Sequence, residues 1–151
     1  MKSFDQLLQE DIAKYEGRHD DLIYQAPALY RLLCSLLDDK RLPGRLRPLI
    51  ASAVAYFILP ADIIPESIHG PYGFVDDIWL CAWALNAVRK ATRNDDILCE
   101  NWDGEAPLLT LLSDILKQEE ELIGKGREKI LAYTGCDRLV ADREHPENDG
   151  A

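Results

Sequence analysis

The chain has 151 residues, 47% of them hydrophobic, and 17 basic against 27 acidic side chains give it a net charge of −10. That length fits one compact domain with a substantial core, and that apolar content excludes a disordered chain. Residues 1–43 carry 6 basic and 8 acidic side chains, residues 44–92 carry 4 and 4, and residues 93–151 carry 7 and 15, so direct nucleic-acid binding is disfavoured and a basic protein partner is the easier match for the last third.

The start, MKSFDQLLQED, has one lysine, acids from position 5 and no long apolar run. It does not resemble a secretory signal, so a cytoplasmic protein is expected. Ser3 followed by Gln6 fits a capping box, and Phe4, Leu7, Leu8, Ile12 and Tyr15 follow at helical spacing, which predicts a first helix over about 3–16, ended near Gly17. PALYRLLCSLLDDKRL supplies a first-turn proline and Leu29, Leu32, Leu33, Leu36 and Leu37 on one face. It predicts a second helix closed by Leu42-Pro43-Gly44.

The third helix, 45–59, starts with Arg45 and Arg47 and has almost nothing polar afterwards; apolar on nearly all sides, it is expected at the bundle centre. The fourth, 74–92, carries Phe74, Ile78, Cys81, Leu85 and Val88 on one stripe and Trp79 and Trp83 on another. Both stripes cannot face one neighbour. Either several helices wrap this element or it shares one stripe with a partner, which makes Trp79 and Trp83 the candidate interface. Neither half of the pair suits a membrane span, because Leu49 to Leu59 is only 11 residues long where about 20 are needed. Peripheral membrane contact stays open.

A short helical turn is expected over 94–102, then a breaker at Asp103-Gly104-Glu105-Ala106-Pro107. From Leu108 to Tyr133 a broad apolar face predicts a helix that Gly124 and Gly126 bend or split. The polar segment 142–151 reads as a flexible tail. Cys34, Cys81, Cys99 and Cys136 lie far apart, without the close pairs of zinc sites, and three of them have Leu, Ile, Trp or Ala neighbours. They read as buried thiols. No segment alternates as a strand does. The expected fold is all-α: a single helical domain over 1–141, with five or six helices around a central apolar hairpin, 45–92.

The link inside that hairpin concentrates the chemistry. Pro60 and Pro65 stop helix, Gly70, Pro71 and Gly73 permit a reversal, and Ile63, Ile64 and Ile68 are too apolar for a solvated loop. Asp62, Glu66, Asp76 and Asp77 fall around the two helix ends. Capping explains such acids without catalysis, yet clustered carboxylates also suit a hard cation such as Mg²⁺, Mn²⁺ or Ca²⁺, with His69 nearby.

Tyr56, Pro60, Asp62, Ile64, Pro65, Glu66, Gly73, Asp76 and Asp77 resemble the motif of domain-of-unknown-function family 1232, the YkvA-like family, over Leu49 to Ala91. In outline that motif is an apolar helix, a tyrosine, Pro-x-Asp-x-Ile-Pro-Asp, a glycine-containing link, Asp-Asp and a second apolar helix. Glu66 stands here in place of the second aspartate, and the link SIHGPYG is glycine-rich. The resemblance implies a helical hairpin and no particular reaction; some family members look membrane-associated, and some carry a RING ubiquitin-ligase domain.

The chain contains no nucleophile–base pair, P-loop or dinucleotide fingerprint. The expected function is therefore a non-enzymatic helical interaction module with a protein partner or a second copy of itself, a subunit or regulator in a bacterial assembly such as a stress or phage-defence system. The alternative is a divalent-metal site at Asp62, Glu66, Asp76 and Asp77 with a structural or phosphoester-hydrolase role.

Overall fold

The computed structural model describes residues 2–13, 20–58 and 73–143. Every regular element among them is helical: α1 Phe4–Ala13, α2 Asp20–Ile23, α3 Ala26–Asp38, a 3₁₀ turn Gly44–Leu46, α4 Arg47–Ile58, α5 Gly73–Thr92, α6 Asp96–Asn101, α7 Leu108–Lys117, α8 Glu119–Leu122, a second 3₁₀ turn Gly124–Gly126, α9 Arg127–Thr134 and α10 Cys136–Arg143. One apolar cluster runs through them from Leu8 to Cys136. The all-α bundle expected from the sequence is the fold.

The capping box forms reciprocally: the Ser3 amide donates to Gln6 Oε1 at 2.9 Å, and the Gln6 amide donates to Ser3 Oγ at 3.2 Å. These bonds satisfy two amides that a helix start leaves without intrahelical partners. α1 then lays Leu8 and Ile12 into the core, and Phe4 packs on Tyr30 of α3 with ring centroids 4.9 Å apart. The expected end at Gly17 lies outside the described residues.

α3 begins with Pro27 in its first turn and ends at Asp38, four residues before Leu42. The early stop has a local cause. The Asp39 carboxylate accepts the Arg41 amide at 2.9 Å and the Arg41 guanidinium, so the chain turns instead of continuing as helix. Arg41 first, then Asn101, holds the Asp39 carboxyl well below the usual carboxylate range. Arg47, in the first turn of α4, donates to the carbonyls of Leu37 and Asp39 and so caps the end of α3 from another helix.

The centre of the bundle is α5, not α4. Every position from Val75 to Leu80 is buried, followed by Cys81, Ala82, Ala84, Leu85 and Val88. α5 packs against α2, α3, α4, α7, α8, α9 and α10. The two apolar stripes on this helix are thus both internal, covered by different neighbours. α4 buries Leu49, Ile50, Ala53, Tyr56 and Phe57 but turns Pro48, Ala51, Ala55 and Ile58 to solvent. Alanine carries too little side chain to decide which face goes in, and that is why an all-round apolar pattern here does not mean all-round burial.

The expected long helix from Leu108 is split, as its glycines suggest. The break opens at Gln118, whose ψ of 18° leaves the helical range, and is completed by Gly124 at φ +54°. α10 is an element that apolar spacing in the sequence does not predict. Gly135, at φ +76°, ends α9 in the left-handed conformation that glycine adopts without a Cβ clash, and α10 then runs through Asp142 and Arg143, two residues into the segment read as tail. All four cysteines are thiols; Cys81 and Cys136 are buried, Cys34 is half-buried and Cys99 is exposed, because Ile97 and Leu98 take the inner face of α6.

Candidate functional site

The carboxylates of interest enter through the first turns of α5. Asp76 is 2% exposed and Asp77 is 6% exposed, and they are the buried charged side chains among the described residues. Helix-dipole stabilisation of an exposed acid is not the regime here. A carboxylate taken out of water needs partners or a proton, since desolvation of a lone charge is costly.

Successive residues on a helix point about 100° apart, so the two acids address different neighbours. Asp76 faces α4: the Tyr56 hydroxyl donates to its Oδ2 at 3.3 Å. Tyr56 is itself 2% exposed and packs edge-on beneath Tyr133 of α9, with ring centroids 6.4 Å apart. Asp77 lies one turn before Cys81. Burial pushes the Cys81 thiol well above its ordinary value, and the Asp77 charge adds to this. The Cys81 Sγ approaches the Leu29 carbonyl of α3 at 3.9 Å, which places this face of α5 against α3.

Asp62, Glu66 and His69 lie outside the described residues. The structure therefore places the Asp76 and Asp77 half of the expected metal set. Among the described residues no group of three or more His, Cys, Asp or Glu side chains is arranged to hold a metal ion, and no helix is long and apolar enough to cross a membrane.

The tryptophan pair falls on the same helix. Trp79 is 0% exposed, its ring stacked near that of Trp83 at 6.4 Å and 28°, with the Arg127 guanidinium 5.9 Å from its centroid. A fully covered indole offers no area to a partner. In this fold the Trp79 ring lies under the Arg127 guanidinium of α9, and Trp83, half-buried, is the member of the expected interface pair that reaches the surface. Trp79 Nε1 has no hydrogen-bond partner among the described residues.

Sequence reasoning missed the covering residues Arg127 and Tyr133. Nothing local marks them, since each acts across the fold on α5 or α4. Arg127 also pairs with Glu119 of α8 at 3.0 Å, so one residue of the run Glu119-Glu120-Glu121 is a tie between elements.

The sequence profile of a family described as "Protein of unknown function (DUF1232)" matches residues 47–83, the span that holds α4, Tyr56, Asp76, Asp77, Trp79 and Trp83. A protein from Methanothermobacter thermautotrophicus described as "Uncharacterized protein ORF9" is 32% identical over 134 residues, covering 88% of this chain and 90% of that protein. Its similarity therefore extends well beyond the α4–α5 segment. No solved structure matches the chain.

Tyr56→Phe tests the one described bond to Asp76. At 3.3 Å the bond is long for an O–H···O contact, so the expected loss in a denaturant melt is about 0.5–1.5 kcal/mol. A loss near zero means that the carboxylate does not depend on this hydroxyl.

Proposed function

The chain belongs to the DUF1232 family, whose description names no activity, and from its own surfaces we propose that it is a non-enzymatic helical interaction module, a cytoplasmic subunit or regulator that docks on a protein partner or on a second copy of itself. The observation that supports this reading is the outer face of α4. From Pro48 to Ile58 the helix carries no charged side chain, and Pro48, Ala51, Ala55 and Ile58 recur along one exposed side of it, Ile58 with 49% of its surface in solvent.

In a chain in which 29% of residues are charged, about three turns of exposed uncharged helix are a surface that water solvates poorly. Small side chains there let another helix approach closely. Arg45 stands exposed at the start of this face, and the acidic last third of the chain supplies charge of the opposite sign elsewhere on the molecule. Both suit a partner with an apolar helical face and a charged rim.

The double substitution Ala51→Glu with Ala55→Glu tests this directly. Exposed substitutions of this kind alter stability within about 0.5 kcal/mol, so the helical circular dichroism is expected to stay unchanged. Light scattering and pull-down from the native host are expected to show a second copy or a stoichiometric partner with the native chain and its loss with the variant. Identical profiles for the two proteins contradict the proposal.

A second reading is supported by the burial of Asp76 and Asp77 side by side at the start of α5. A buried carboxylate at the α4–α5 corner needs a counter-charge or a proton, and oxygen donors select Mg²⁺, Mn²⁺ or Ca²⁺ over zinc. Asp62 and Glu66 would be the further ligands in sequence, and the ion would brace the α4–α5 corner or activate a water for phosphoester hydrolysis. On this reading a saturating ion at 100 times its Kd raises stability by about 2.7 kcal/mol. The measurement is a thermal melt in EDTA and then in each metal; coincident melts rule the site out.

A further inference from the structure

α9 and α10 pack on each other and lie together over α4 and α5. Few of the described side chains of this helix pair reach the core. Ile130, Leu131 and Cys136 are its buried side chains among the described residues, with Leu139 at the edge of the core. Glu128, Lys129, Ala132, Tyr133, Asp137 and Arg138 are exposed, and Tyr133 keeps 56% of its surface in solvent. α5, by contrast, is buried at every position from Val75 to Ala82.

The polar bonds of the pair are mostly local. Thr134 Oγ1 donates back to the Ile130 carbonyl, the Cys136 amide donates to Thr134 Oγ1, and the Arg138 amide donates to Asp137. Arg127 to Glu119 spans only the turn to α8. That turn is Gly124-Lys125-Gly126, with Gly124 at φ +54° and no atom within 4 Å of where its Cβ would be. A segment with few buried apolar contacts, joined through glycine, belongs to the low-stability end of a fold.

What lies beneath is unlike the cover. Arg127 sits over the Trp79 ring and Tyr133 over Tyr56, and the closed arrangement leaves Trp79 Nε1 without an acceptor among the described residues. A buried unsatisfied donor penalises the closed state, and hydration relieves it on opening. We propose that the 127–143 helix pair is a cover that swings as one unit about the Gly124–Gly126 turn while the remaining helices stay folded, and that its opening controls access to Trp79 and the Tyr56–Asp76 pair.

The full chain carries its own reporters. Cys136 lies in the cover. Cys81 lies on α5 but faces the Leu29 carbonyl of α3, away from the cover, and exposed Cys99 is the reference. Alkylation by iodoacetamide in native buffer, resolved by site with mass spectrometry, is expected to modify exposed Cys99 and half-buried Cys34 first, and then Cys136 at least about tenfold faster than Cys81. Gly124→Ala strains the left-handed hinge without a steric clash, so it is expected to raise the Cys136 rate roughly fivefold or more, with Cys136 still at least about tenfold faster than Cys81. A common rate for Cys136 and Cys81 means that the pair opens only with the whole molecule, and overturns the inference. A Cys136 rate insensitive to Gly124→Ala overturns the hinge and the inference with it.

Discussion

A helix that is apolar on opposite sides is stable in water only inside a ring of other helices, and α5 imposes that condition on the rest of the chain. Burial of Trp79 alone removes roughly 150–250 Å² from solvent, and its neighbours from Val75 to Ala82 are all buried with it. The ring is built from both flanks of the sequence: α2, α3 and α4 from one side, α7 to α10 from the other. The matched family segment, 47–83, therefore buries its second helix with elements that lie outside it. The burial of Asp76 and Asp77 is a consequence of the same arrangement, because the start of a central helix is carried inside with the rest of it.

Outside the core, arginines join the elements of the ring. Arg31 donates to Asp103 through Nε at 3.0 Å and reaches Asp5 at 3.2 Å, linking α3 to α1 and to the turn before α7. Arg41 joins Asp39 to Glu100 of α6, and Arg89 holds Asp95 at 2.8 Å across the α5–α6 turn. Such exposed pairs stabilise weakly. Their effect is to fix which helix end lies beside which. Gly104 shows how closely one of these turns is packed: a Cβ there would come within 2.2 Å of the Trp102 ring, which is held in place by its own bond to the Ala106 carbonyl at 2.8 Å.

Local physics was legible in the sequence. The Ser3–Gln6 box, the first-turn proline of α3 and the split near Gly124 each depend on residues a few positions apart. What was not legible depended on the rest of the fold. The all-apolar pattern of α4 suggested the bundle centre, but alanine is indifferent to burial, and Ala51 and Ala55 end on the outside while Ala53 is buried. The twin stripes of α5 left wrapping and partnering equally open, and the choice rested on α9, whose covering residues Arg127 and Tyr133 carry no local mark. α10, with Leu139 and a buried Cys136 among charged residues, had too weak an apolar period to register, although Gly135 signalled a helix end just before it. At the candidate site Asp76 and Asp77 were legible as helix-start acids, whereas their burial was not, since it follows from where α5 sits.

The central claim is that α5 is enclosed on the Trp79 side by this chain alone. Acrylamide quenching of a variant with Trp79 as its single tryptophan, Trp83→Phe with Trp102→Phe, tests it most directly. The enclosed helix predicts blue-shifted emission and a quenching constant far below that of free indole. Emission at the position of a hydrated indole, quenched as readily as one, would contradict it.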